Sequence, residues 1–240
     1  MRAAIMQPTY LPWIGYFGLI DTSDIFVFYD DVQFEPRSWQ QRNRIRIADV
    51  ETTLSVPVFQ HREQTIKDVK ICNDRDWRKN HWARISQSYS RAAYFKSYEG
   101  QVKKIYEKSW DQLCQLNIYN IKLFCELLGL RKPIFTNSSE LSNITGHKTD
   151  RLLSVLESLN ASEFLTVPGT RDYLEIAKFR ERNIKLYWYE FQHPVYPQVG
   201  DNFIPYLSAV DLLFNTGSQA INYIRKGTHN SLKLPLKAAG

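Results

Sequence analysis

The sequence predicts an α/β fold: a Rossmann-like, mostly parallel sheet with a helical insertion or subdomain. Three observations carry the prediction. Two short apolar runs, separated by a helix-like stretch, fall within roughly the first 30 residues, the pattern of a strand–helix–strand unit. From about residue 76 to 130 the apolar residues recur at three-to-four spacing with no strand-like run. After that stretch, runs rich in β-branched and aromatic residues alternate again with helical segments.

Taken in order, Arg2-Ala3-Ala4-Ile5-Met6 reads as a buried strand that stops at Gln7-Pro8. Residues 14–22 read as a short helix and Ile25-Phe26-Val27-Phe28 as the second strand, ending at Tyr29-Asp30-Asp31. Ile45–Ile47 and Thr53–Phe59 suggest a hairpin. Asp76 stands as the N-cap of WRKNHWARISQSY, and the helical pattern from Trp110 to Leu128 ends at Gly129. In the second half, strands are predicted over Pro133–Thr136, Phe164–Val167 and Ile184–Tyr189. Helices are predicted over 147–159, 172–182, 207–214 and 216–226. There are no repeats and no low-complexity linker. The expectation is a single composite domain over residues 1–240, with an α/β core at about 1–60 and 131–230 and a helical insertion at about 76–130.

Composition excludes some classes. With 43% apolar and 23% charged residues the chain is not of disordered type. No stretch of 18 apolar residues occurs, so no transmembrane helix is predicted. The apolar N-terminus is broken by Pro8 and Pro12 and does not read as a signal peptide. Cys72, Cys114 and Cys125 lack metal-type spacing; Cys114 and Cys125 sit in apolar, helix-like sequence and read as buried thiols. A chain without a disulfide framework fits a reducing cytoplasm. The net charge of +6 and pI near 9.1 are compatible with an anionic partner such as a nucleotide-sugar, tRNA or DNA. The charge reads as spread rather than striped. Aromatic residues make up 14%, enough to fill a core and also face a ligand cleft.

In an open parallel sheet, ligands bind beyond the carboxyl ends of the strands. That rule selects Gln7-Pro8-Thr9-Tyr10, Tyr29-Asp30-Asp31-Val32-Gln33, Pro168-Gly169-Thr170-Arg171-Asp172 and Glu190-Phe191-Gln192-His193. Asp30 and Asp31 could hold a metal, orient a ribose or act as base; the competing reading is turn and capping chemistry. In Arg37-Ser38-Trp39-Gln40-Gln41-Arg42-Asn43-Arg44-Ile45-Arg46, four arginines without an acid suit bidentate phosphate binding, with Trp39 stacking on a base or sugar. The turn Trp13-Ile14-Gly15-Tyr16 has the outline of a phosphate-binding strand–turn–helix, but Trp13 and Tyr16 stand where nucleotidylyltransferases place histidines. Trp77 and His81 read as the packed side of an amphipathic helix. Ser208-Ala209-Val210-Asp211 reads as a capping box. The five histidines form no metal-type cluster, so no metal site is predicted, and no Gly-rich phosphate loop or nucleophile elbow is present; the cofactor is left open.

Read together, several blocks resemble the WbqC-like family. They are Met6-Gln7-Pro8-Thr9-Tyr10-Leu11-Pro12-Trp13-Ile14-Gly15-Tyr16-Phe17, Phe26 to Phe34, Trp39 to Ile45, Ser138-Ser139-Glu140-Leu141, Lys148-Thr149-Asp150-Arg151-Leu152, Asp172-Tyr173-Leu174, His193 to Gln198, and Ser208 to Gly217. They run in family order over nearly the whole chain. Two departures are His147, where the family more often has an acid, and Val167-Pro168-Gly169-Thr170, where it more often has a small-residue turn.

The resemblance implies a role in bacterial surface-polysaccharide (O-antigen) synthesis, beside enzymes that make amino sugars. The expected activity is acyl or aminoacyl transfer to a nucleotide-activated amino sugar. Asp30, Asp31 and His193 are the catalytic candidates, with Asp31 or His193 as base. Gln7, Thr9, Trp13, Tyr16, Gln33, Arg37, Trp39, Asn43, Arg44, Lys148, Arg171, Tyr173 and Gln198 are the candidates for binding substrate or nucleotide. The expected partners are a nucleotide-sugar or other phosphorylated small molecule and an acyl or aminoacyl donor, aminoacyl-tRNA included, with no membrane. Two alternatives stand beside it: a nucleotidylyl-transferring or amino-acid-activating enzyme, and a non-catalytic nucleic-acid or assembly partner.

Overall fold

The computed structural model describes residues 1–131 and 133–235. Its main sheet has six strands in the order β5-β2-β1-β6-β7-β8. The strands are β1 (Arg2–Met6), β2 (Ile25–Phe28), β5 (Ile134–Asn137), β6 (Glu163–Thr166), β7 (Lys185–Tyr189) and β8 (Leu232–Lys233). All pairs are parallel except β7 with β8. The chain builds outward from β1 through β2 to β5, then crosses back to add β6 and β7 on the other side. The strand order therefore reverses between β1 and β6, where a Rossmann-like sheet opens a crevice.

Strand periodicity explains the two cores. Successive side chains on a strand point to opposite faces. Ala4, Phe26, Phe28, Leu165 and Tyr189 join a core with helices α1 (Ile14–Thr22), α7 (Ala209–Thr216) and α8 (Ala220–Thr228). Ala3, Ile5, Ile25, Val27, Phe164 and Trp188 join another with α5 (Lys148–Ser158) and α6 (Ile176–Glu181). Covered on both faces, β1 and β2 can carry unbroken apolar runs.

Between β2 and β5 the chain forms an antiparallel hairpin, β3 (Arg42–Ile47) with β4 (Val50–Ser55), and the helices α2 (Trp77–Tyr89), α3 (Phe95–Glu107) and α4 (Leu113–Leu127). Buried polar pairs tie these helices to the sheet end. The Tyr10 hydroxyl lies 2.9 Å from both His81 Nδ1 and the Tyr106 hydroxyl. Asn117 Nδ2 donates to the carbonyls of Pro8 (3.1 Å) and Gln40 (2.7 Å). Trp77 and His81 are buried, as their helical spacing predicts.

Two local expectations are corrected, and one strand was not foreseen. Helix α6 starts at Ile176, not near Asp172, because Thr149 Oγ1 accepts from the Glu175 backbone N–H (3.1 Å) and residues 168–170 form a separate tight turn. Strand β8 has no period-2 run long enough to announce it. At α7, Ser208 Oγ accepts from the Val210 N–H, but Asp211 does not complete a capping box: its carboxylate turns inward to the Tyr196 hydroxyl (2.8 Å) and Gln198 Nε2 (2.7 Å). Cys114 and Cys125 are buried free thiols, and burial pushes the Cys114 thiol up to about 12.

Candidate functional site

The reversal point holds a cleft of about 400 Å³ beyond the ends of β1 and β6. Its floor is Ile5, Met6 and Phe164; its polar rim comes from Gln7, Thr9, Tyr29, Glu35, Ser38, Gln40, Lys148, Thr166, Thr170 and Tyr173, with Trp39 as a wall. That size lies within the range of small-molecule sites. A second cavity of about 260 Å³ adjoins it and shares Met6, Thr9 and Trp39; Trp13, Tyr16, Asn43, Arg44 and Tyr206 complete it. The first compartment is rich in amides and hydroxyls, the second in aromatic rings.

Gln40 organises the first compartment. It is buried, and its Nε2 donates to Gln7 Oε1 (3.0 Å) while its Oε1 accepts from the Glu35 N–H (3.1 Å). Because a backbone N–H can only donate, both amide orientations are fixed, and the Gln7 Nε2 donors are left for the cleft. Thr166 and Thr170 hydroxyls are 3.0 Å apart, so one rim hydroxyl orients the other. Burial raises the Tyr29 phenol, against an opposing pull from Arg151, and burial raises Tyr173 as well, so both stay protonated donors at neutral pH.

Lys148 and Arg37 both adopt left-handed backbone, φ 50° and 60°. Lys148 opens α5 on the cleft rim and makes no ion pair among the described residues. A lysine held there costs on the order of 1 kcal/mol, and strain of this kind collects at ligand sites.

Trp39 is half exposed, at 49%, with the Arg44 guanidinium 5.2 Å from its ring centroid. One face of the indole is thus backed by a cation, and the ring stands between the two compartments. Asn43 is a buried anchor. Its Nδ2 donates to the carbonyls of Tyr10 (3.1 Å) and Leu11 (2.9 Å), holding the turn that follows β1.

Other sequence-selected residues serve the scaffold. Asp30 is buried and accepts from Ser138 Oγ (3.1 Å), the Ser139 N–H (3.0 Å) and Ser139 Oγ (2.8 Å), joining the ends of β2 and β5. Asp31 accepts from Ser138 Oγ (2.6 Å) and pairs with Arg151. Neither carboxylate lines the cleft.

His193 stacks on Trp13, centroids 6.2 Å apart and planes 9° from parallel. Its Nε2 accepts from the Tyr206 N–H (3.1 Å), which leaves Nδ1 to donate to the Pro194 carbonyl (3.0 Å). Burial lowers its pKa, in keeping with that neutral tautomer, so both ring nitrogens are engaged.

The arginine-rich segment divides. Arg46 is almost fully buried against Asp49, Gln198 and the Asn202 carbonyl; Arg44 pairs with Glu51; Arg37 is exposed outside the cleft lining. Arg171 pairs with Glu190 and lies 5.3 Å from the Trp188 ring centroid. Gln33 is exposed and bridges to Thr65, and Gln198 belongs to the Arg46–Asp211 network.

The turn into α1 is also unlike a phosphate loop. A Cβ on Gly15 would lie 2.2 Å from the Trp13 ring, so this glycine makes room for the indole to fold over the first helical turn. Tyr29, Glu35, Ser38, Gln40, Thr166 and Thr170 were not among the individual binding or catalytic candidates. Tyr29 and Thr170 lie in the strand-end segments, Ser38 and Gln40 in the arginine-rich segment, and Thr166 within a predicted strand.

The buried Asp211 has a pKa raised to about 6, chiefly by desolvation, against the hydrogen bonds from its partners. Arg46 packs so closely over Gly200 (φ 102°) that a Cβ there would lie 2.0 Å from its guanidinium.

The fold and cleft define an α/β protein of Rossmann-like type with a candidate ligand site at its reversal point. The chain matches the WbqC-like protein family over residues 7–223, and it belongs to that family. It is also similar to an uncharacterized protein of Mycobacterium tuberculosis, 34% identical over 228 residues, covering 93% of this chain and 97% of that relative. No solved structure matches. Among the described residues, no helix is long and apolar enough to cross a membrane.

Proposed function

We propose that this protein is a transferase that acylates or aminoacylates the amine of a nucleotide-activated amino sugar in bacterial surface-polysaccharide synthesis. The carrying observation is the joined pair of compartments at the reversal point, one lined by hydrogen-bonding groups and one by aromatic rings. A nucleotide-sugar needs many donors and acceptors and a cation for its phosphates; an acyl group needs an apolar wall. Lys148 would meet the phosphate, Gln7, Thr166 and Thr170 the sugar, and Trp39 the base or ring face. Trp13, Tyr16 and Tyr206 would house the acyl group.

A sugar ammonium must lose a proton before its nitrogen attacks the acyl carbonyl. Glu35 is the carboxylate on the cleft rim and makes no ion pair among the described residues. It takes the place of Asp31 and His193 as base, because those two are engaged elsewhere. The new C–N bond forms as the bond from the acyl carbon to the donor's leaving group breaks, and that group leaves with a proton. Nucleotidylyl transfer is less favoured, because Trp13 covers the helix start at which a phosphate would dock.

Isothermal titration of the protein with UDP- and dTDP-linked amino sugars tests the reading. Binding that weakens in Lys148→Ala and Trp39→Ala supports it, and no heat with any of them rejects it.

A further inference from the structure

Although the charge reads as spread along the sequence, the elements hold it unequally. Residues 70–131, which contain α2, α3 and α4, hold twelve of the 31 Lys and Arg and six of the 25 Asp and Glu. This segment therefore carries a formal +6, and the rest of the chain is balanced. About half of the described cations outside this segment are paired, as Arg2–Glu163, Arg151–Asp31, Arg171–Glu190 and Arg225–Asp21 illustrate, and acids elsewhere balance the rest. On and beside the helices, Arg75, Lys79, Arg84, Arg91 and Lys104 are exposed and make no ion pair among the described residues.

The charge has a centre. A groove of about 310 Å³ between the start of α2 and the end of α3 is lined by Arg75, Arg78, Lys79 and Lys103, over Trp82 and Tyr106. Two acids border it, Asp76 and Glu107, and Glu107 is paired with Lys103 at 3.1 Å. Arg78 is set in place by a 2.6 Å bond to the Lys108 carbonyl at the end of α3.

We propose that this helical face docks RNA through its phosphate backbone. Arg75 and Arg91 flank the 13-residue α2, whose axis is about 20 Å long, and that reach suits a chain of phosphates rather than a single one. A membrane surface would call for exposed apolar anchors, yet Tyr94 is the large hydrophobic residue in this segment that is exposed. The choice of RNA over DNA rests on the acyl-transfer reading of the cleft, since an RNA-borne acyl ester is both an activated donor and a polyanion.

Full-length protein is titrated into fluorescently labelled tRNA, and separately into duplex DNA and anionic phospholipid vesicles, over a range of salt. The triple variant Arg75→Glu, Lys79→Glu, Lys103→Glu is compared with Arg180→Glu, Lys185→Glu, Lys226→Glu, which changes net charge equally on exposed core positions. The expected result is salt-dependent tRNA binding that the helical variant weakens at least about tenfold and the core variant much less. Equal weakening by both, equal or tighter binding to DNA or vesicles, or no tRNA binding at physiological salt overturns the proposal. Nucleotide-sugar titration of the same variants should be unchanged, so failure of the docking face is separable from failure of the cleft. A helical variant with altered circular dichroism is replaced by the Gln substitutions at the same three sites, for which a weaker loss in the same order is required.

Discussion

Replacing Asp30 tests whether it is a scaffold clamp or a reacting group. Its carboxylate accepts from the Ser139 N–H and hydroxyl and shares the Ser138 hydroxyl proton with Asp31, in a buried position between β2 and β5. In Asp30→Asn, the oxygen that accepts from Ser138 and the Ser139 N–H remains, and the new amide can donate to a rotated Ser139 hydroxyl. No bond need be lost, but each falls from charge-assisted to neutral, a weakening of roughly 1 kcal/mol apiece. The expected destabilisation is about 2–3 kcal/mol. In Asp30→Ala the Ser139 N–H and hydroxyl lose their acceptor inside the protein while the Ser138 hydroxyl keeps Asp31, and the cost rises to about 3–4 kcal/mol. Asp31→Asn weakens a partly exposed ion pair and should cost about 1 kcal/mol. Urea unfolding followed by circular dichroism measures all three. A wild-type midpoint for Asp30→Asn, combined with abolished ligand binding, would refute the clamp and return Asp30 to the site.

Three further outcomes follow from the same geometry. Lys148→Ala should raise the Kd for a nucleotide-sugar by about tenfold, with less effect on the free amino sugar, since an exposed charge-assisted phosphate contact is worth about 1.5 kcal/mol; equal losses for both would contradict phosphate contact. Gly200→Ala should destabilise by 2 kcal/mol or more (an order-of-magnitude figure), because an alanine there meets both left-handed backbone and the Arg46 guanidinium; an unchanged urea midpoint would contradict that packing. Stability against pH should show two opposed contributions. His81, lowered to about 4 by burial, costs stability as pH falls below its unfolded value near 6.5. Asp211, raised to about 6, contributes stability below its unfolded value near 3.8 and loses it as pH rises through 6. Between about pH 4 and 6 the two largely offset each other. Asp211→Asn should expose the His81 slope, about 1.4 kcal/mol per pH unit relative to wild type, and parallel curves for the two proteins would count against it.

Much of the sheet was legible because its strands follow simple rules. Ala3-Ala4-Ile5 and Ile25-Phe26-Val27-Phe28 are short apolar runs bounded by turns, and parallel strands buried on both faces need little else. Strand ends then pointed to Gln7, Thr9 and the neighbourhood of Tyr29. Residue chemistry alone could not separate a carboxylate facing a cleft from one facing a neighbouring strand. Asp30 is a clamp because the β5 end brings two serines beside it, a contact separated by 108 residues. Arg46 and Gln198 similarly find each other across 152 residues. Gln40 looked like one polar residue among arginines, and becomes central when the chain folds it under Gln7 and Glu35. The charge of the helices could be counted in the sequence. Its meaning depended on seeing which cations elsewhere are already paired.

A crystal structure of the complex with a UDP- or dTDP-amino sugar would show whether the cleft at the reversal point is the substrate site. Phosphate density is expected beside Lys148 Nζ, the sugar between Gln7 and Thr166, and the amine toward Glu35, all within the cleft between the ends of β1 and β6. A ligand bound with its phosphate elsewhere and that cleft left open would contradict that assignment.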